Sequence, residues 1–139
     1  MRFIDSNIFI HAILKPTRKL AKHEKEIKEA AKVILKRIEQ GEKATTTVVH
    51  LSEVANILES RTTLKHSRNI LTAITSNHNL TITPTTDRQY RGALQLSETL
   101  NIGINDALAH LIMTELQIPE IYSFDKHHDN IPQTKRIIQ

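Results

Sequence analysis

Four carboxylates stand at places where a folded chain of 139 residues brings side chains together: Asp5, Glu53, Asp106 and Asp125, with Asp129 just beyond the last. Asp5 closes the apolar run Met1-Arg2-Phe3-Ile4, and Asp125 closes a second one, Glu120-Ile121-Tyr122-Ser123-Phe124. An acid at the end of a hydrophobic strand has two plausible jobs. It caps the helix that follows, or it stands at the strand's carboxyl end, where open α/β sheets bind ligands. Two carboxylates about 5 Å apart repel by roughly 3 kcal/mol at an effective dielectric near 20, so several in one cleft must bind protons or hold divalent cations. Mg2+ or Mn2+ takes oxygen ligands, and a pair of such ions activates water and stabilises the leaving oxygen of a phosphodiester.

These acids converge only if the intervening elements position them. Arg2 to Ile4 reads as a strand and Asn7 to Leu14 as a short helix, broken at Lys15-Pro16-Thr17-Arg18-Lys19. Ile27, Ala31, Ile34 and Ile38 then recur at helical spacing in an amphipathic element that ends at Gly41. Lys43 to Thr46 is a short β-branched segment, followed by a helix from Thr47 to Ser60 with Val48, Leu51, Ala55 and Leu58 on one side. Glu53 lies on another face, between Val49 and Ile57 at i−4 and i+4, an unusual flank for a merely solvated glutamate.

Leu64 to Ser76 is a further helix, and Leu80 to Thr83 a strand. Thr86 with Gln89 forms the signature of a capping box opening a helix through Tyr90, Ala93, Leu94 and Leu96, with Asp87 in the first turn where the helix dipole favours an acid. Asn105-Asp106 starts an apolar helix that stops before Pro119, so Asp106 projects from a helix amino terminus. A last strand covers Arg136 to Ile138. Strands alternating with pairs of helices define an α/β layered fold around a small, mainly parallel sheet, in one domain spanning 1–139. Right-handed crossovers put every strand's carboxyl end on one rim, where Asp5 and Asp125 meet.

Composition narrows the partners. Nineteen Lys and Arg against fifteen Asp and Glu give a formal charge of +4, which permits a polyanionic partner. The 4% aromatic content and the lack of Trp argue against a broad base-stacking platform, so nucleic acid would be held mainly through its phosphates. There is no cysteine for a disulfide or a thiolate zinc site. No apolar run is long enough for a signal peptide or membrane span, and the reading is a soluble, cytoplasmic protein.

Four blocks in order resemble the PIN-domain nucleases, most closely the VapC-like ribonuclease toxins. They are Phe3-Ile4-Asp5-Ser6-Asn7-Ile8-Phe9-Ile10, Leu51-Ser52-Glu53-Val54-Ala55-Asn56, Ile104-Asn105-Asp106-Ala107-Leu108-Ala109-His110 and Ile121-Tyr122-Ser123-Phe124-Asp125. The resemblance covers nearly the entire chain and implies a PIN-like three-layer fold. It further implies that Asp5, Glu53, Asp106 and Asp125 form an acidic Mg2+ or Mn2+ cleft supported by Asn7, with Ser123 as the hydroxyl residue two before the last acid and Asp129 as an auxiliary acid. The activity implied is hydrolysis of RNA, in which water attacks phosphorus in line and leaves 5′-phosphate and 3′-hydroxyl ends. A small antitoxin and a homodimer are the partners implied.

The chain departs from the family at His128, where an aromatic often stands three residues after the last acid. His127 and His128 together invite a transition-metal reading, against which adjacent histidines seldom point at one ion. Because an acidic cleft repels RNA, basic residues must form its rim: Lys15, Arg18, Lys19 and Lys22 near the first break, or Arg61, Lys65 and Arg68 around the fourth helix. The apolar stripe of the Glu24 to Gln40 helix serves either as an antitoxin docking face or as core.

Three rival readings fare less well. A receiver-type phosphotransfer domain wants a second acid beside Asp5, where Ser6 stands, and a dehalogenase-like phosphatase wants an acid where Asn7 stands. A catalytically silent PIN-like scaffold that binds RNA or protein is at odds with the presence of all four acids, and an RNA-processing PIN nuclease that is not a toxin retains the same chemistry.

Overall fold

The computed structural model describes all 139 residues. Five strands, β1 (Arg2–Ile4), β2 (Ala44–Thr47), β3 (Leu80–Thr83), β4 (Glu120–Tyr122) and β5 (Lys135–Ile137), form a sheet in the order β3-β2-β1-β4-β5. Every pairing is parallel. The helices are α1 (Ser6–Ile13), α2 (Lys22–Glu39), α3 (Val48–Arg61), α4 (Leu64–Thr75), α5 (Asp87–Leu100) and α6 (Ile104–Leu116), two between each successive pair of the first four strands. A 3-10 turn, Lys126–Asn130, joins β4 to β5.

The chain builds outward from β1 through β2 to β3, then returns to place β4 on β1's other side. The order therefore reverses at β1. That switch point opens a crevice beyond the strands' carboxyl ends.

The three layers follow from alternation along the strands. Phe3 lies opposite Ile121 and Ile4 opposite Tyr122. One face buries Ile4 and Tyr122 with Ile8, Phe9, Ala31, Ile34, Val54 and Leu58; the other buries Phe3 and Ile121 with Ala93, Ala107, Leu108 and Ile112. The α2 stripe of Ala31, Ile34 and Ile38 belongs to the chain's own core, packed beside α1, so it is not a free docking face.

Several elements differ in detail from the sequence reading. Val48 is 46% exposed although its spacing predicts a place on the apolar side of α3; the buried face is His50, Val54 and Leu58. Thr47 caps α3 by accepting from the His50 N–H, which turns Val48 outward in the first turn. Tyr90 and Leu94 are likewise exposed on α5, while Ala93 faces α6. Gly92 permits that approach, since a Cβ there would stand 2.8 Å from Leu111 Cδ1. Lys28 donates to the carbonyls of His11 and Leu14 and so satisfies the carboxyl end of α1.

Candidate active site

Asp5 does both jobs its position allows. Its N–H continues the ladder to the Tyr122 carbonyl at 3.0 Å, which fixes it at the end of β1. Oδ1 accepts the Ser6 N–H at 2.8 Å and caps α1. Oδ2 accepts from Ser123 Oγ at 2.7 Å and from Asn7 Nδ2 at 3.3 Å.

Asn7 ties the two strand ends together. Its Nδ2 donates to Ser123 Oγ at 3.1 Å, and its Oδ1 accepts the Phe124 N–H at 3.2 Å. Ser123 Oγ in turn accepts the Asp125 N–H at 3.0 Å. A closed set of bonds thus fixes Asp125 relative to Asp5.

Asp106 lies in the first turn of α6 after Gly103, the N-cap residue. A Cβ at Gly103 would stand 3.3 Å from Asp106 Oδ2, so the glycine gives that carboxylate room. His50 anchors the same turn. It is fully buried, with Nδ1 2.6 Å from Thr47 Oγ1 and Nε2 3.0 Å from the Asn105 carbonyl. Because that carbonyl only accepts, Nε2 carries the hydrogen and Nδ1 accepts from Thr47. Burial depresses the His50 pKa, outweighing Asp5, the Asn105 carbonyl and the other nearby acids, which matches a neutral ring.

An open cleft of about 520 Å³ collects Asp5, Glu53, Asp106 and Asp125, with Asn7 on its wall and Tyr90 at its edge. Glu53 Oε2 accepts from Asn105 Nδ2 at 2.7 Å, and Oε1 accepts from Ser6 Oγ. Asp125 caps the 3-10 turn through the His127 N–H at 2.9 Å. Asp129 does not line this cleft. Arg136 holds its carboxylate in a bidentate pair at 2.9 and 3.0 Å, an interaction that keeps the Asp129 pKa low.

The two histidines turn to different places. His128 is 1% exposed, with Nε2 3.4 Å from Asp5 Oδ2 and 3.5 Å from Asp106 Oδ1. Burial opposes its charge, but the two carboxylates outweigh burial and push its pKa up to about 9. Asp5 shows the reciprocal effect: burial favours its neutral form, yet His128, His50 and Ser123 hold its pKa below the ordinary carboxylate value. His127 is exposed, with Nδ1 3.0 Å from Asp125 Oδ1.

Donor atoms of Asp5, Asp106 and His128 lie within 4.8 Å of one another, as do those of Asp106, Asp125 and His127. Asp106 is common to both groups. Two carboxylates and an imidazole at this spacing in each group, with the buried His128 nitrogens lacking hydrogen-bond partners, fit a divalent cation.

Sequence reasoning missed Ser6, Asn105 and His50 as positioning residues. Ser6 and Asn105 adjoin the acids Asp5 and Asp106, a signal that was available. Lys15 and Arg61 line one groove of about 340 Å³ with His66, so residues from the first break and from the α3–α4 junction share one surface. Arg18 instead pairs with Glu24 at 2.7 Å.

The chain belongs to the PIN-domain family, whose model matches residues 2–133. Its fold is that of the VapC toxins. Among solved structures it is similar to VapC20 of Mycobacterium tuberculosis, a Sarcin-Ricin loop cleaving toxin, at 16% identity over 90% of each chain and a TM-score of 0.70. It is also similar to VapBC2 from Rickettsia felis bound to a DNA fragment from its promoter, at 16% identity, 98% and 96% coverage of this chain and that one, and a TM-score of 0.68. A toxin-antitoxin complex from Klebsiella pneumoniae matches at 12% identity, 97% and 96% coverage, and a TM-score of 0.67. No curated protein matches the sequence closely enough to count as a relative.

Proposed function

We propose that this chain is a Mg2+- or Mn2+-dependent endoribonuclease and the toxin of a toxin–antitoxin pair. The observation that carries the reading is the convergence of Asp5, Asp106 and Asp125 in one solvent-open cleft, with Glu53 on its wall. Cleavage of the Sarcin-Ricin loop by VapC20 supports RNA as the substrate, and the two toxin-antitoxin assemblies support a small antitoxin partner. A homodimer acting on cytoplasmic RNA completes the proposal.

Asp5, Asp106 and Asp125 hold the cation in this reading, and Asn7 and Ser123 keep Asp5 and Asp125 in register. Bound there, a divalent cation supplies Lewis-acid activation of water and neutralises charge on the phosphodiester. Glu53, fastened by Ser6 and Asn105, accepts a hydrogen bond from the attacking water and orients it for in-line approach. Lys15 and Arg61 contact phosphates along the groove they share, and Tyr90 offers the cleft's one aromatic face to a base. Lys65 and Arg68 on α4 and Lys19 in the first break are further exposed cations for the same role. No side chain serves as nucleophile.

The test is to incubate the protein with structured and unstructured RNAs in Mg2+, in Mn2+ and in EDTA, and to map the fragment ends. Ion-dependent fragments bearing 5′-phosphate and 3′-hydroxyl ends are expected. Fragments with 2′,3′-cyclic phosphate ends, or equal cleavage in EDTA, would overturn the mechanism. A silent scaffold would bind RNA and cut none of it.

A further inference from the structure

His128 has no role in the mechanism above, yet it lies buried directly behind the cleft, against Asp5 and Asp106. Neither ring nitrogen has a hydrogen-bond partner, and the side chain is 1% exposed. In the metal-free chain only ion pairing offsets the cost of burying this imidazole, and no hydrogen bond fixes either nitrogen. Its Nε2 faces Asp5 Oδ2 at 3.4 Å and Asp106 Oδ1 at 3.5 Å, ion-pair contacts longer than an ordinary hydrogen bond to either carboxylate. Those separations have a natural meaning. Donors that share one ion at about 2.1 Å lie roughly 3.0 to 3.5 Å apart, the range between octahedral and tetrahedral angles.

We propose that His128 Nε2 is a direct ligand of the cation, completing with Asp5 and Asp106 a one-nitrogen, two-carboxylate set that selects a transition ion such as Mn2+ over Mg2+. The inference rests on the metallonuclease reading and narrows it. Imidazole suits first-row transition ions, whereas Mg2+ takes oxygen donors and retains its waters. An aromatic hydrocarbon ring at position 128 would fill the same volume and leave the oxygen donors alone. His127 sits apart, exposed on the Asp125 side of Asp106, and is not part of this set.

The test uses the full chain, stripped of metal and titrated with Mn2+ and with Mg2+, with pulsed electron paramagnetic resonance on the bound Mn2+ to detect a directly coordinated nitrogen. Wild type is expected to show that nitrogen coupling and to bind Mn2+ at least about tenfold more tightly than Mg2+. The coupling should persist in His127→Ala and disappear in His128→Phe, whose Mn2+ affinity should fall about tenfold or more while its Mg2+ affinity changes much less. If His128→Phe fails to fold, the wild-type and His127→Ala spectra decide together: coupling kept in His127→Ala supports His128, and coupling lost there overturns the assignment. Bound Mn2+ without nitrogen coupling, or coupling unchanged in His128→Phe, would overturn the assignment and leave the all-carboxylate nuclease standing. No binding of either ion would overturn both readings.

Discussion

Ser123 Oγ donates to Asp5 Oδ2 at 2.7 Å, joining the carboxyl ends of β4 and β1 across 118 positions of sequence. The same oxygen accepts the Asp125 N–H, so one hydroxyl orients two acids of the cleft. A buried carboxylate that loses a donor retains its desolvation penalty, which amounts to about 1–3 kcal/mol. Ser123→Ala should therefore lower the unfolding free energy by about that amount and reduce RNA cleavage by roughly tenfold or more. Denaturant melts and cleavage rates measured together check this; wild-type values for both would show that the hydroxyl is dispensable.

Gly103 is the N-cap of α6 at φ −59°, a conformation any residue adopts, so its role is space rather than backbone freedom. A methyl there meets Asp106 Oδ2 at 3.3 Å. Gly103→Ala should leave stability within about 1 kcal/mol of wild type while weakening divalent-ion binding several-fold. Calorimetric titration beside a thermal melt separates the two effects, and unaltered ion affinity would refute the crowding argument.

Two buried histidines give the metal-free protein opposite pH limbs. Burial depresses the His50 pKa below 6.5, so its contribution is complete above that value and is lost as the pH falls through the depressed one. His128 titrates the other way: burial opposes its charge, Asp106 and Asp5 outweigh burial, and its pKa rises from 6.5 to about 9. Its stabilisation, on the order of 3 kcal/mol, is complete below 6.5 and is lost as the pH rises through about 9. In EDTA, His50→Gln should flatten the acid limb of stability against pH, and His128→Phe the alkaline limb. Limbs of unchanged slope would contradict the assignment.

Tyr90 is 38% exposed at the edge of the cleft, where a nucleobase would stack. Stacking on an aromatic ring contributes about 1–3 kcal/mol per base. Tyr90→Ala is expected to raise KM for RNA about tenfold or more with a smaller change in kcat. An effect confined to kcat would move Tyr90 from substrate binding into the chemistry.

What the sequence disclosed follows from the range of the forces involved. Apolar runs ending in acids marked β1 and β4, and the Thr86 to Gln89 box was legible because capping is local; Thr86 accepts the Gln89 N–H as the spacing implied. The convergence of Asp5, Asp106 and Asp125 was legible once parallel crossovers were assumed. Contacts between distant segments were not. Asp129 read as an auxiliary acid because its pairing with Arg136 depends on β5 returning alongside β4. His128 stands out only as a departure from the family's aromatic, and a metal role shared with His127 is set aside, because nothing local shows that the 3-10 turn aims His128 alone at Asp5 and Asp106. Val48 read as core because the spacing was right and the cap at Thr47 changed which face turned inward.

The most direct test of the central claim is the single-turnover rate of RNA cleavage by wild type, Asp5→Asn and Asp106→Asn across a series of Mn2+ and Mg2+ concentrations, with folding verified by thermal melts. Saturable ion dependence in wild type and a loss of about 100-fold or more in each variant at every ion concentration are expected, with the fold retained. Variants that fold and cleave at the wild-type rate would show that the acidic cleft between β1 and α6 is not where the chemistry occurs.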